Sequence, residues 1–153
     1  MNKWLKIGSA ISLVFFGVTC KKKQTPPANS TPSNCTISQA SGIPFNFSLN
    51  SSQFAPLNVV GGYAYITGYG IKGILVYRIA QNQFVAFERS CTKDGCTTAK
   101  ALVWVQTGNT FVKDSICGSN FSITDGSVQS GPATFALYQY HTNWDGTTLS
   151  VSN

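Results

Sequence analysis

Apolar residues along this chain recur at every second position or in short continuous runs, and almost nowhere at the spacing of a helix face. Phe45-Asn46-Phe47-Ser48-Leu49 alternates with period two, which puts one set of side chains on one side of a strand. Further strands are expected at 63–67, 73–79, 84–88, 102–106, 111–113, 120–123, 137–142 and 148–152. Between them stand residues that favour tight turns: Gly61-Gly62, Gln81-Asn82, Gly108-Asn109, Asp125-Gly126, Ser130-Gly131-Pro132 and Asp145-Gly146. This spacing predicts an all-β fold, either a meander of small packed antiparallel sheets or a partly open barrel. Ten Phe, six Tyr and three Trp supply the core volume that a small, loop-rich domain needs.

The first residues follow a different pattern. Lys3 and Lys6 precede an apolar run from Ile7 to Val18, which is shorter than the roughly 20 residues needed to span a bilayer. A short apolar run behind positive charge is the pattern of an export signal. It ends in Gly17-Val18-Thr19-Cys20, which resembles the lipobox of bacterial lipoproteins, with Cys20 as the lipidated first residue of the mature protein. An ordinary secretory signal cleaved nearby, or an uncleaved anchor, is the alternative. From Gln24 to Asn34 the chain is polar and broken by Pro26, Pro27 and Pro32, a composition that buries too little apolar surface to offset its ordering entropy. Residues 1–19 are therefore expected to be a lipoprotein signal peptide, 20–34 a lipidated Cys with a flexible tether, and 35–153 a single β domain. Extended, the tether from Lys21 to Asn34 reaches roughly 45 Å.

The formal net charge of +6 comes from 11 basic and 5 acidic residues. Lys3, Lys6, Lys21, Lys22 and Lys23 belong to the signal or directly follow it, so the remainder carries 6 − 5 = +1. A nearly neutral domain without a basic, aromatic-interleaved stripe excludes nucleic acid as the expected partner. The Lys run belongs instead beside lipid headgroups.

Two segments carry the most specific information: Cys91-Thr92-Lys93-Asp94-Gly95-Cys96 and Asp114-Ser115-Ile116-Cys117-Gly118-Ser119. Upstream of the first lie Gly73-Ile74-Leu75-Val76-Tyr77-Arg78 and Phe84-Val85-Ala86-Phe87-Glu88-Arg89-Ser90-Cys91. Downstream of the second come Asn120-Phe121, Asp125-Gly126-Ser127-Val128, Gly131-Pro132-Ala133, Leu137, Tyr140, Asp145-Gly146, Leu149 and Val151. In this order the motifs resemble a Rieske iron–sulfur domain, and above all envelope lipoproteins whose Rieske-like domain has a degenerate ligand set. The resemblance covers most of the chain after Gly61.

In that family each of two loops gives one Cys and one His to a [2Fe–2S] cluster. The resemblance places Cys91 at the ligand Cys of the first loop, Lys93 at its His and Cys96 at a Cys that often makes a disulfide to the second loop. Aligned on Gly118-Ser119, Asp114 takes the second ligand Cys, Ser115 a Pro, Ile116 the second disulfide Cys and Cys117 the second ligand His. One ligand of four is kept. A Lys ammonium has no lone pair to offer, and Asp oxygen is a poor replacement for thiolate on an iron–sulfur cluster. Because the family's loops face each other, the resemblance implies a Cys91–Cys117 disulfide, with Cys35 and Cys96 as a second pair. It also brings Lys93 and Asp114 to one place, where they either pair or stay separately solvated.

Other readings of the same residues stay open. Cys91, Cys96 and Cys117 with Cys35 or His141 would suit a tetrahedral zinc ion, although the spacings lack two short Cys pairs and an exported protein favours disulfides. His141, the only His, falls on an expected strand away from both loops, with no nucleophile-elbow pattern around any Ser. Tyr63, Tyr65, Tyr69, Tyr138, Tyr140 and Trp144 make either an aromatic binding face or ordinary packing. The expectation is a lipid-anchored envelope protein with no catalytic residues and no cofactor, acting as a binding or structural module. An electron-transfer protein holding [2Fe–2S] through unusual ligands is the competing reading, and a thiol–disulfide redox module a third.

Overall fold

The computed structural model describes residues 40–93 and 102–153. The expected signal peptide, Cys20, the tether, Cys35 and Cys96 lie outside them. The described residues form an all-β fold with ten strands: β1 (Phe45–Ser48), β2 (Tyr63–Ile66), β3 (Ile74–Ala80), β4 (Gln83–Glu88), β5 (Val103–Val105), β6 (Phe111–Asp114), β7 (Asn120–Ser122), β8 (Val128–Ser130), β9 (Gln139–Trp144) and β10 (Thr148–Ser152). All pairings are antiparallel, in a six-stranded sheet of order β1-β10-β9-β4-β3-β2 and a four-stranded sheet of order β5-β6-β7-β8. No helix among these residues is long and apolar enough to cross a membrane.

The centre of the molecule is the β3–β4 hairpin, turned at Gln81-Asn82. Its apolar residues run almost continuously because both faces are covered. Ile74, Val76, Phe84 and Ala86 face a core shared with Phe45, Leu57, Leu149 and Val151. Leu75, Val85 and Phe87 face a second core with Val103, Val112, Phe121 and Leu137 from the smaller sheet and its loops. Each large apolar side chain removed from water in this way contributes about 1.5–3 kcal/mol.

Two elements were not expected from the sequence. Ser52–Asn58 forms a 3₁₀ helix in which Phe54 and Leu57 are buried; at three residues per turn these two stack on one side and reach the first core. β8 is short and mostly exposed, and exists because β7 offers it a partner edge. β9 starts two residues later than expected, because Leu137 and Tyr138 bond instead to Gly126 and Glu88 in adjacent loops and strands.

Glu88, at the end of β4, is fully buried and fully used. Its Oε2 accepts hydrogen bonds from the Tyr140 hydroxyl and the Ile71 amide, and its Oε1 from the Lys72 amide, each at 2.8 Å. Gly70, at φ +71°, lets the 70–72 turn close over this carboxylate; a Cβ there would collide with Glu88 Oε2.

Candidate functional site

The two loops singled out in the sequence leave the same end of the structure. An isolated bridge between Ser90 and Leu102 pins the base of the first loop, and Cys91 follows Ser90 directly. Strand β5 begins next to that bridge and pairs with β6, Val103 opposite Asp114. The second loop is a tight turn after Asp114, closed by Gly118 N–H to Asp114 O and Asp114 N–H to Ser119 O, both at 2.9 Å. Gly118 supplies the left-handed φ of +77° that this closure requires.

One donor atom each from Cys91, Asp114 and Cys117 lies within 4.8 Å of the other two. The sulfurs of Cys91 and Cys117 are 3.5 Å apart and stand as thiols. Cys117 Sγ is 3.3 Å from Asp114 Oδ2 and 3.0 Å from Ser119 Oγ. Asp114 Oδ1 accepts the Ile116 amide at 2.7 Å and the Cys117 amide at 3.4 Å, so the side chain caps its own turn. Ser119 Oγ in turn accepts the Ala133 amide at 3.0 Å, tying the cluster to the loop after β8. Cys91, Asp114 and Ser119 are buried and Cys117 is half-buried.

These contacts set the ionisation of the cluster. Burial pushes the Cys91 thiol well above its ordinary range; the Lys93 amide opposes this, and the bonds to Asp114 and Cys117 add to it. Burial also pushes the Asp114 carboxyl upward, but the Ile116 amide, the two thiols and the Cys117 amide outweigh it and hold the group below the usual carboxylate range. The result is an anionic Asp114 carboxylate beside a Cys91 thiol that burial keeps protonated.

Three of the four positions aligned with cluster ligands thus meet, as the resemblance implies. Lys93 is exposed and enters the cluster through its main-chain N–H, while Asp114 draws its bonds from its own turn and the thiols. The expected Cys91–Cys117 pair is adjacent, in the dithiol form. His141 is exposed on β9, paired across from Ser152. Of the aromatic residues, Tyr140 is buried, and Tyr69, Tyr138 and Trp144 lie in ring contacts at 4.1, 5.0 and 5.3 Å. A cleft of about 310 Å³ between the edge strands β1 and β2 is lined by Phe45, Phe47, Phe54, Tyr65 and Tyr69.

Two residues of this region were not anticipated. Ser119 served only to align the loop, yet it is fully buried and bonded to Cys117. Arg89 is 4% exposed, with its guanidinium 3.9 Å from the Tyr65 ring and 4.3 Å from the Trp104 ring. It joins the two sheets through these rings and through Nε to Val103 O at 3.4 Å. The Glu-Arg pair inside an otherwise apolar run was the available signal for both buried charges.

No protein-family model matches the chain. No curated protein matches it either. Among solved structures, the chain is similar to the ferredoxin of carbazole 1,9a-dioxygenase from Nocardioides aromaticivorans IC177, at 14% identity and a TM-score of 0.45, over 61% of this chain and 86% of that one.

The donor set does not fit a Rieske centre. Such a centre needs two imidazoles on one iron, and the single His lies on a strand outside the cluster.

Proposed function

We propose that this chain is an exported lipoprotein, anchored to the bacterial envelope through Cys20, whose Rieske-like domain serves as a binding or structural module rather than an electron carrier. The observation that carries the reading is the Cys91–Asp114–Cys117 cluster. Residues at former ligand positions converge but bond to one another, which is what a pocket released from its iron would do. In an oxidising envelope Cys91 and Cys117 close as a disulfide.

The convergence also favours a second reading, in which the pocket holds [2Fe–2S] through unusual ligands or shares it with a partner. Iron analysis, visible absorption and a free-thiol count on the purified protein decide between them. The first reading expects no iron, no visible bands and Cys91 and Cys117 oxidised together. Stoichiometric iron with visible absorption and a reduced-state electron-paramagnetic signal would establish the second.

A further inference from the structure

We propose that the reduced protein binds one zinc ion through Cys91 Sγ, Cys117 Sγ and a carboxylate oxygen of Asp114. The inference rests on the pocket having given up its iron–sulfur centre. It differs from a four-cysteine or three-cysteine-and-histidine site in using Asp114 as the third donor and needing neither Cys35, Cys96 nor His141.

Spacing is the first argument. Zinc binds thiolate at about 2.3 Å and carboxylate at about 2.0–2.2 Å in tetrahedral array, so two thiolates on one ion stand about 3.7 Å apart, and a thiolate and a carboxylate oxygen about 3.5 Å apart. The corresponding edges here are 3.5 Å between the sulfurs and 3.3 Å from Cys117 Sγ to Asp114 Oδ2. Two of the three edges are thus close to the required separations without an ion to draw them together, and the third, between Cys91 and Asp114, lies within 4.8 Å.

Orientation is the second argument. Main-chain amides point at both sulfurs, from Lys93 to Cys91 and, at 3.5 Å, from Ser119 to Cys117. Such N–H bonds stabilise a thiolate bound to a metal and hold its direction. The Ile116 amide does the same for Asp114 Oδ1 at 2.7 Å, leaving Oδ2 toward the sulfurs. Two soft sulfurs and one oxygen suit zinc far better than magnesium or calcium.

On binding, Zn²⁺ replaces the two S–H protons, which pass to solvent, and the carboxylate exchanges S–H donors for the ion. The net charge of ion and three donors becomes −1, from a +2 ion with three anionic ligands. The half-buried side of Cys117 leaves the fourth position for water. Oxidation of the two thiols to a disulfide removes both sulfur ligands, so zinc and the disulfide are alternative states of one pocket.

The test uses the full-length protein, reduced and exchanged into anaerobic buffer, and titrated with Zn²⁺ against a chromogenic chelator and separately with Co²⁺. One ion per chain is expected, with thiolate-to-cobalt charge-transfer absorption and tetrahedral ligand-field bands. The cobalt spectrum reports sulfur ligation in the unaltered protein, so it does not depend on whether a variant folds. Asp114→Asn should weaken zinc by at least the roughly 10–100-fold that loss of an outer-shell partner costs, and Cys117→Ser should abolish the charge-transfer band. A Cys35→Ser/Cys96→Ser double variant should bind as the unaltered protein does. Oxidation with glutathione disulfide, which takes up the two electrons and two protons as it becomes two thiols, should eliminate binding. No stoichiometric binding by the reduced protein, binding that survives Cys117→Ser, or binding lost in the double variant would each overturn the proposal. Iron in the protein as purified would overturn the underlying reading; iron-free protein that takes up no zinc overturns the zinc site alone.

Discussion

The Tyr140 hydroxyl donates to Glu88 Oε2 at 2.8 Å, in a fully buried contact between residues 52 positions apart. It reinforces the junction of β4 with β9, where only Ala86–Tyr140 and Phe87–Gln139 pair in register. Burial first, then the adjacent Glu88 charge, pushes the Tyr140 phenol far above its ordinary range, so it remains a donor. Tyr140→Phe is expected to cost about 1.5–3 kcal/mol, the usual range for a hydrogen bond to a charged group. Glu88→Gln should cost more, because its amide N–H₂ must face one of the donors now satisfied by an oxygen. Urea unfolding of both variants checks the order.

Asp114 predicts an acid limb of the stability profile. Its folded carboxyl lies below the ordinary range, whereas in the unfolded chain it titrates near about 3.9. The stabilisation is therefore complete above the unfolded value and is lost as pH falls through the folded one. In urea midpoints measured from neutral pH down to about pH 3, the advantage of the unaltered protein over Asp114→Asn should shrink. A constant gap across that range would show that the carboxylate charge contributes nothing.

The two cysteines should behave unequally when reduced. Cys91 is 1% exposed with its thiol pushed up by burial, while Cys117 is half-buried. Alkylation of the folded domain should modify Cys117 first and reach Cys91 only on unfolding, as read by mass spectrometry of peptides. Joined as a disulfide, they close a loop of 26 residues, and reduction should lower stability by about 3 kcal/mol.

Anchoring has its own test. Expressed in a bacterium that processes lipoproteins, the chain is expected to fractionate with membranes, and Cys20→Ser to release or mis-process it. Unaltered protein found soluble with an unmodified N-terminus removes the anchor from the proposal.

The alternating and continuous apolar runs were legible because period-two patterning and turn residues act locally: Phe45–Ser48 and Thr148–Ser152 could be marked as strands without knowing that they pair. Their assignment to two sheets was not legible, since β4 and β9 share two register pairs across some fifty residues of chain. At the site, aligning on Gly118-Ser119 brought Cys91, Asp114 and Cys117 together, as they stand. What the alignment did not reveal is how Asp114 is held: amides two and three residues along the same turn reach its Oδ1, a local contact that needs no long-range partner. Arg89 escaped notice because a buried arginine runs against composition, and the neighbouring Tyr65 and Trp104 rings, the Val103 carbonyl and the Glu88 charge make it tolerable.

Cys91 is buried just beyond the end of β4, behind the Ser90–Leu102 bridge, whereas Cys117 rides on a five-residue turn whose Gly118 has open space around it. The pocket therefore resembles a vice with one fixed jaw and one adjustable jaw. An ion, a bond or a partner that needs a different sulfur separation meets a buried, closely packed Cys91 on one side. Adaptation falls to the turn between β6 and β7, and substitutions at the exposed Ser115 and Ile116 would retune what the pocket accepts while leaving the core and the left-handed Gly118 untouched.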